Sequence, residues 1–69
     1  MIGDNVRRIR KKRGISQEKL ARLADISLNT LTKIESGFAQ KPTIQTVVKL
    51  SKALNVTLDE LVERNKKLD

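Results

Sequence analysis

Residues 15–37 read ISQEKLARLADISLNTLTKIESG, and this stretch decides the fold of the chain. Ser16 and Ser27 each precede a segment with apolar residues at helical spacing, and serine is a favoured N-cap because its oxygen accepts a free backbone N–H. Gly37 follows the second segment, at a position where a left-handed residue ends a helix. The connection at residues 25–27 is about three residues long, which suits two helices that cross at a steep angle. The inward positions predicted for this helix pair are Leu20, Ala24, Ile26, Leu31 and Ile34.

The flanking segments predict three more helices. Residues 2–13 place apolar residues three and four apart on one face, and Gly14 ends that helix. Thr43 is the expected N-cap of a fourth helix, which Asn55 ends in the left-handed conformation. Thr57 begins a short fifth helix. No segment alternates apolar and polar residues as a half-buried strand does.

The four internal helix starts share a second signature, the hydrophobic staple, in which the residue before the N-cap packs on the residue four after the cap. The four pairs are Ile15 with Leu20, Ile26 with Leu31, Pro42 with Val47, and Val56 with Leu61. Glu60, three residues after Thr57, adds a capping box. These signals predict an all-α protein, a compact five-helix bundle formed by residues 1–63, with a polar tail at residues 64–69.

The composition narrows the class of protein. The chain has 69 residues with no cysteine and no histidine, so we expect one domain without disulfides, metal or cofactor. No run is apolar enough for a signal peptide or a membrane span, and we expect a cytoplasmic protein, either complete or one domain of a longer chain. We also predict that it is not an enzyme. Nucleophile–base chemistry lacks its usual residues, no carboxylate pair has acid–base spacing, and three of four serines stand at helix ends.

The charge indicates the kind of partner. Fifteen Lys and Arg against eight Asp and Glu give a net charge of +7, which favours a polyanion. Charge alone does not choose between nucleic acid, an anionic membrane surface and simple solubility. Six of the seven residues at 7–13 are basic, a run that in isolation is most often a solvated face. A membrane-surface helix at residues 2–13 fits less well, because its apolar stripe is as narrow as that of a core-facing helix.

The runs ISQEKLARLADISLNTLTKIESG and KPTIQTVVKLSKALNVTLDELV resemble the XRE-type family of phage-repressor-like domains over nearly the whole chain. The resemblance implies a lambda repressor-like fold with a helix-turn-helix in the second and third helices. Two positions depart from the family's habit. Asp25 stands where glycine is usual in the turn, and aspartate adopts the left-handed region at some cost. Ser36 stands where many members have asparagine.

By this resemblance the third helix enters the major groove of DNA by its N-terminal end. The residues that match the family's base-reading positions are Ser27, Leu28, Asn29, Thr32 and Lys33. The side chains suit that task, since Asn29 can pair with adenine, Lys33 can donate to guanine and Leu28 can touch a thymine methyl group. Leu28 also has a plain alternative as a scattered surface leucine, which is common.

Phosphate contacts are expected on either side of the reading helix, where helix N-termini favour an anion. The candidate phosphate-binding residues are Arg7, Gln17, Ser36, Gln40, Lys41 and Thr43. The alternative for Ser16, Thr43 and Thr57 is a capping role alone, which we adopt for Thr57. The resemblance further implies a structural ion pair between Arg10 and Glu35. Phe38, the lone aromatic residue, is expected to pack over the following loop or to join a dimer contact.

We therefore predict a sequence-specific regulator, most simply a repressor, that binds double-stranded DNA as a homodimer on a palindromic site, without a membrane or small-molecule partner. The self-contact is expected around residues 38–41 and 56–58. An antitoxin or a restriction–modification controller would share this domain. A protein-binding adaptor or coactivator is the alternative from another class, and the basic flank with Asn29 and Lys33 argues against it.

Overall fold

The structure, a computed structural model, describes residues 2–38 and 42–63. These residues form five α-helices without a strand, which confirms the predicted all-α bundle. The helices are α1 (Ile2–Lys12), α2 (Gln17–Ala24), α3 (Leu28–Ser36), α4 (Ile44–Leu54) and α5 (Leu58–Val62). The predicted tail at residues 64–69 lies outside the described residues.

The helix starts follow from local chemistry. Ser16, Ser27, Thr43 and Thr57 all have extended backbone and are the N-caps of α2 to α5. Each side-chain oxygen accepts the backbone N–H three residues later, at 3.0 to 3.1 Å. The Glu60 carboxylate accepts the Thr57 N–H at 2.8 Å and completes the predicted capping box. One otherwise unpaired donor at each helix start is therefore satisfied.

The helix ends use left-handed residues. Gly14 and Gly37 have φ of 71° and 85°, and Asp25 and Asn55 have φ of 58° and 59°. The backbone N–H of Asp25 and of Asn55 returns to carbonyls of the preceding turn, as in other left-handed helix ends. Aspartate thus occupies the turn position where glycine is usual. Helix α1 ends at Lys12, one residue before the predicted end, because Arg13 already lies in the turn.

The core lies where the five helices meet. Helix α1 packs on α3 and α5, and α2 packs on α3 and α4. Ile15, Ile26 and Val56, which precede three of the N-caps, are partly buried against the core, as the staple pattern predicts. The fully or nearly buried apolar residues are Val6, Ile9, Leu20, Ala21, Ala24, Leu31, Ile34, Val47, Leu50, Leu54 and Leu61. Leu23, a further apolar residue of α2, is exposed.

Two polar or small residues of α1 fix its place in the bundle. Gly3 is buried against the end of α3, and a Cβ built on it would overlap the Ile34 carbonyl oxygen. The Asn5 side-chain amide donates to the carbonyl oxygens of Leu61 at 2.7 Å and Glu63 at 2.8 Å. Since those carbonyls close α5, Asn5 supplies the hydrogen bonds that a helix of five residues lacks at its end. Helix α1 is therefore tied to both α3 and α5.

No helix within residues 2–38 and 42–63 combines the length and the apolar content needed to cross a bilayer.

Candidate nucleic-acid interface

The turn between α2 and α3 sets how the third helix is presented. Asp25 leaves α2 in the left-handed region, and the Ile26 N–H then bonds the Ala21 carbonyl at 3.0 Å. Ile26 is partly buried against the core, and Ser27 caps α3 directly afterwards. Lys49 of α4 approaches Asp25 from outside, with its Nζ 3.4 Å from the backbone oxygen. The turn is thus fixed at both ends, and three residues separate the end of α2 from the start of α3.

The reading face is the name used here for Ser27, Leu28, Asn29, Thr32 and Lys33, the predicted base-reading residues. They run from the N-cap of α3 to its last turn, where Lys33 lies, with Thr32 half-buried and the other four exposed. Leu28 is 40% exposed although it is apolar. Buried Leu31 and Ile34 lie on the opposite side and hold α3 to the core.

Hydrogen bonding divides the reading face by chemistry. The Ser27 hydroxyl donates to Thr30 Oγ1 at 2.8 Å, and the Thr32 hydroxyl donates to the Asn29 carbonyl at 2.9 Å. Within the described residues, no hydrogen bond or ion pair engages the side chains of Asn29 and Lys33. These two residues therefore keep their N–H donors free for a ligand, whereas the hydroxyls are free mainly as acceptors.

The anchor network is the name used here for Arg10, Gln17 and Glu35, which meet at the last turn of α3. Arg10 donates to Glu35 through Nε at 2.8 Å and through Nη2 at 3.0 Å, a bidentate pair with both side chains buried. Arg10 Nη1 also donates to the Ile15 carbonyl at 2.9 Å, and Gln17 Nε2 donates to Glu35 Oε1 at 3.1 Å. The charge pair is thus well hydrogen-bonded, which a buried pair requires.

The predicted phosphate residues fall into three groups. Gln17 and Thr43 lie at the N-termini of α2 and α4, where free N–H groups and the helix dipole favour an anion. Arg7 is exposed, 3.7 Å from the Asp4 carboxylate, and Ser36 donates its hydroxyl to the Lys33 carbonyl at 3.0 Å. Gln40 and Lys41 lie outside the described residues.

The first turns of the helices differ in charge. Helices α1 and α5 carry acidic residues there, as is favourable beside a helix N-terminus, namely Asp4 in α1 and Asp59 and Glu60 in α5. Helices α3 and α4 carry none in their first turns. Helix α2 is like α1 and α5 in this respect, since Glu18 lies in its first turn. Among the described helices, α3 and α4 are therefore the two whose first turns hold no carboxylate.

Sequence reasoning missed several of these features. It assigned Gln17 to phosphate only, and it did not place Gly3 or Asn5 in the bundle. Phe38 is 80% exposed, and the loop over which it was expected to pack lies outside the described residues, so the loop packing and the dimer contact both stay predictions. Among the described residues, no three His, Cys, Asp or Glu side chains cluster as a metal site would.

Comparison with known proteins identifies similar chains. The profile of the helix-turn-helix family matches residues 6–61. The HTH-type transcriptional regulator SlrR of Bacillus subtilis is 40% identical over 63 residues, which is 91% of this chain and 41% of SlrR. SinR of the same organism is 33% identical over 63 residues, 91% of this chain and 57% of SinR.

A shorter relative matches over more of its own length. The uncharacterized HTH-type transcriptional regulator y4dJ of Sinorhizobium fredii is 34% identical over 62 residues, covering 90% of this chain and 79% of y4dJ. The chain spans about half the length of SlrR and SinR.

Proposed function

The chain belongs to the XRE-type helix-turn-helix family, and from that membership we propose that it is the DNA-reading part of a transcriptional repressor. The membership confirms that it is a DNA-binding domain rather than an enzyme. In the proposal α3 enters the major groove by its N-terminal end, and two copies bind a palindromic operator.

The observation that carries the proposal is the reading face. Among the described residues, Asn29 and Lys33 have N–H donors without a partner, and Leu28 beside them is exposed. Major-groove edges present acceptors on guanine, a donor–acceptor pair on adenine and a methyl group on thymine. These three side chains match those three kinds of group. An adaptor that binds protein through the same helix would need an apolar or acidic face instead.

Backbone contacts would hold the helix in register. The first turns of α3 and α4 hold no acidic residue, so their N-termini suit phosphates. The basic run at residues 7–13 suits phosphates as well, on either side of the groove. In this arrangement Arg7, Gln17, Ser36 and Thr43 contact phosphate, together with Gln40 and Lys41. Such contacts fix orientation without reading sequence.

Dimer formation on DNA is the part of the proposal that sets operator geometry. Exposed Phe38 and Leu58 provide apolar surface within the expected self-contact at residues 38–41 and 56–58. A twofold dimer requires half-sites about one helical turn apart, roughly 34 Å. The regulatory role follows the names of the relatives, and with it a cytoplasmic location, since operator DNA lies there.

Selection from a random duplex library, followed by fluorescence anisotropy on the selected and a scrambled duplex, tests the proposal. We expect a palindromic consensus and a Kd that is about 1000-fold or more lower on the selected duplex. Affinity should fall steeply with salt, because phosphate contacts release counterions. Failure to bind any duplex at low ionic strength would remove the proposal and favour the adaptor.

A further inference from the structure

The Glu35 carboxylate is the centre of the anchor network and joins three segments. It accepts two hydrogen bonds from Arg10 of α1 and one from Gln17, the first residue of α2. Glu35 itself lies in the last turn of α3 and is only 4% exposed. The last helical turn of α3 is therefore connected to the first residue of α2 through one buried carboxylate.

The chemistry of this contact fixes the orientation of the Gln17 amide. A carboxylate only accepts, so the Gln17 amide must turn its NH₂ group toward Glu35 and its oxygen away. One Nε2 hydrogen is then bound to Glu35 and the second stays available. Arg10 also donates to the carbonyl of Ile15, directly before the Ser16 cap. The Ser16 hydroxyl accepts the backbone N–H of Lys19, so the chain is fixed before and after the cap.

We propose that Glu35, held by Arg10, is a positioning residue for DNA binding that sets the Gln17 amide so that its second N–H donates to a backbone phosphate. This inference rests on the proposed function and adds a cause for the phosphate contact at α2. Because the amide is ordered before DNA arrives, binding does not have to immobilise that side chain. The same carboxylate fixes α2 relative to α3, so the phosphate contact and the reading face keep one spacing.

A double-mutant cycle on DNA affinity tests the coupling. Gln17→Ala is made in the unaltered chain and in the paired variant Arg10→Met/Glu35→Met, which replaces both charges with apolar side chains so that neither is left buried and unpaired. In the unaltered chain, Gln17→Ala should weaken the selected and scrambled duplexes alike by about tenfold, the loss of one hydrogen bond to a charged group. In the paired variant the same change should alter affinity by less than about twofold, since the amide is no longer held.

Equal losses in the two backgrounds would overturn the inference, because Gln17 would then act without Glu35. The inference would also be overturned if the paired variant changed the free energy of unfolding without changing Kd. A merely structural role for Arg10 and Glu35 predicts that result. If the unaltered chain binds no duplex, the proposed function fails instead, and the two failures are distinguishable.

A second measurement does not depend on the folding of the paired variant. Side-chain ¹⁵N relaxation of Gln17 in the unaltered chain without DNA should give an order parameter near 0.85, about that of rigid backbone. Exposed Gln45 of α4 is the internal reference and should be more mobile. An order parameter for Gln17 below about 0.6, or one equal to that of Gln45, would show that the amide is not positioned in advance.

Discussion

Helix α3 and its N-cap carry two regions with opposite surroundings, the mostly exposed reading face and, in the last turn, Glu35 of the buried anchor network. Within the described residues, the side-chain hydrogen bonds of the reading face join residues three apart. The bonds of the anchor network to Glu35 join residues 18 and 25 apart, in buried or partly buried positions. Glu35 is thus held by side chains of α1 and α2, whereas most of the reading face is exposed to solvent. Substitutions in the two regions should separate binding from stability.

The largest expected effect is at the anchor network. Glu35→Ala leaves the Arg10 guanidinium buried without its carboxylate, and removing one partner of a buried pair costs about 3–5 kcal/mol. The free energy of unfolding from urea titration should fall by that amount. Glu63→Ala, which removes an exposed carboxylate, is the control and should change stability by less than about 0.5 kcal/mol. Similar stability of Glu35→Ala and Glu63→Ala would contradict the difference between the buried anchor network and the exposed surface.

A smaller effect is expected where α1 meets the end of α3. In Gly3→Ala the added methyl group meets the Ile34 carbonyl, so backbone has to move, and overpacking of this kind costs about 1–3 kcal/mol. Alanine's better helix propensity returns at most about 1 kcal/mol. The melting temperature by circular dichroism should therefore fall. An unchanged or higher value would mean that α1 is not held closely against α3.

On the reading face, substitutions should reduce the affinity for DNA and leave the free energy of unfolding nearly unchanged. Lys33→Ala should weaken the selected duplex by about 1–3 kcal/mol and relax the preference at one base pair. The free energy of unfolding should stay within about 0.5 kcal/mol of the unaltered chain, because Lys33 is exposed.

Lys52→Ala is the matched control for this change. It removes the same charge from the last turn of α4, roughly 12 Å along the axis from the start of that helix. Its effect should be equal on selected and scrambled duplexes. Equal loss of preference in both lysine variants would show that Lys33 supplies charge only.

The smallest effect is at Ser27, where capping and reading coincide. Ser27→Ala removes the acceptor for the Thr30 N–H and should cost about 1 kcal/mol of stability, whereas Ser27→Gly should cost only a few tenths. Comparing urea midpoints with Kd values for both variants separates the roles. If the hydroxyl also reads a base, the two variants should lose equal affinity despite their unequal stability.

Most of the helix boundaries were predictable because they depend on neighbours. The four N-caps and the capping box at Glu60 use contacts three residues apart, and the left-handed ends at Asp25 and Asn55 satisfy the preceding turn. Such contacts depend only on residues that are close together in the chain, whatever the helices pack against. The positions of the reading-face residues in α3 and its cap are local in the same sense, whereas their base-reading role came from the family resemblance and stays a prediction.

The contacts between helices were not predictable by these rules. Asn5 bonds carbonyls 56 and 58 residues away, and nothing near Asn5 in the chain indicates that partner. Gln17 looks like an ordinary first-turn residue, and only the packing of α1 and α3 shows that its amide bonds Glu35. The pairing of Arg10 with Glu35 came from a family resemblance, and spacing alone did not supply it.

By itself, then, the sequence determined the five helices, their caps, the apolar face of each and the positive charge, because each depends on the chemistry of residues within about one turn. Only the tertiary structure decided which buried polar groups meet. It places Gly3 against the Ile34 carbonyl and three donors around Glu35. The physical reason is that a buried hydrogen bond needs a partner at a fixed distance, and that distance is set only when the helices have packed.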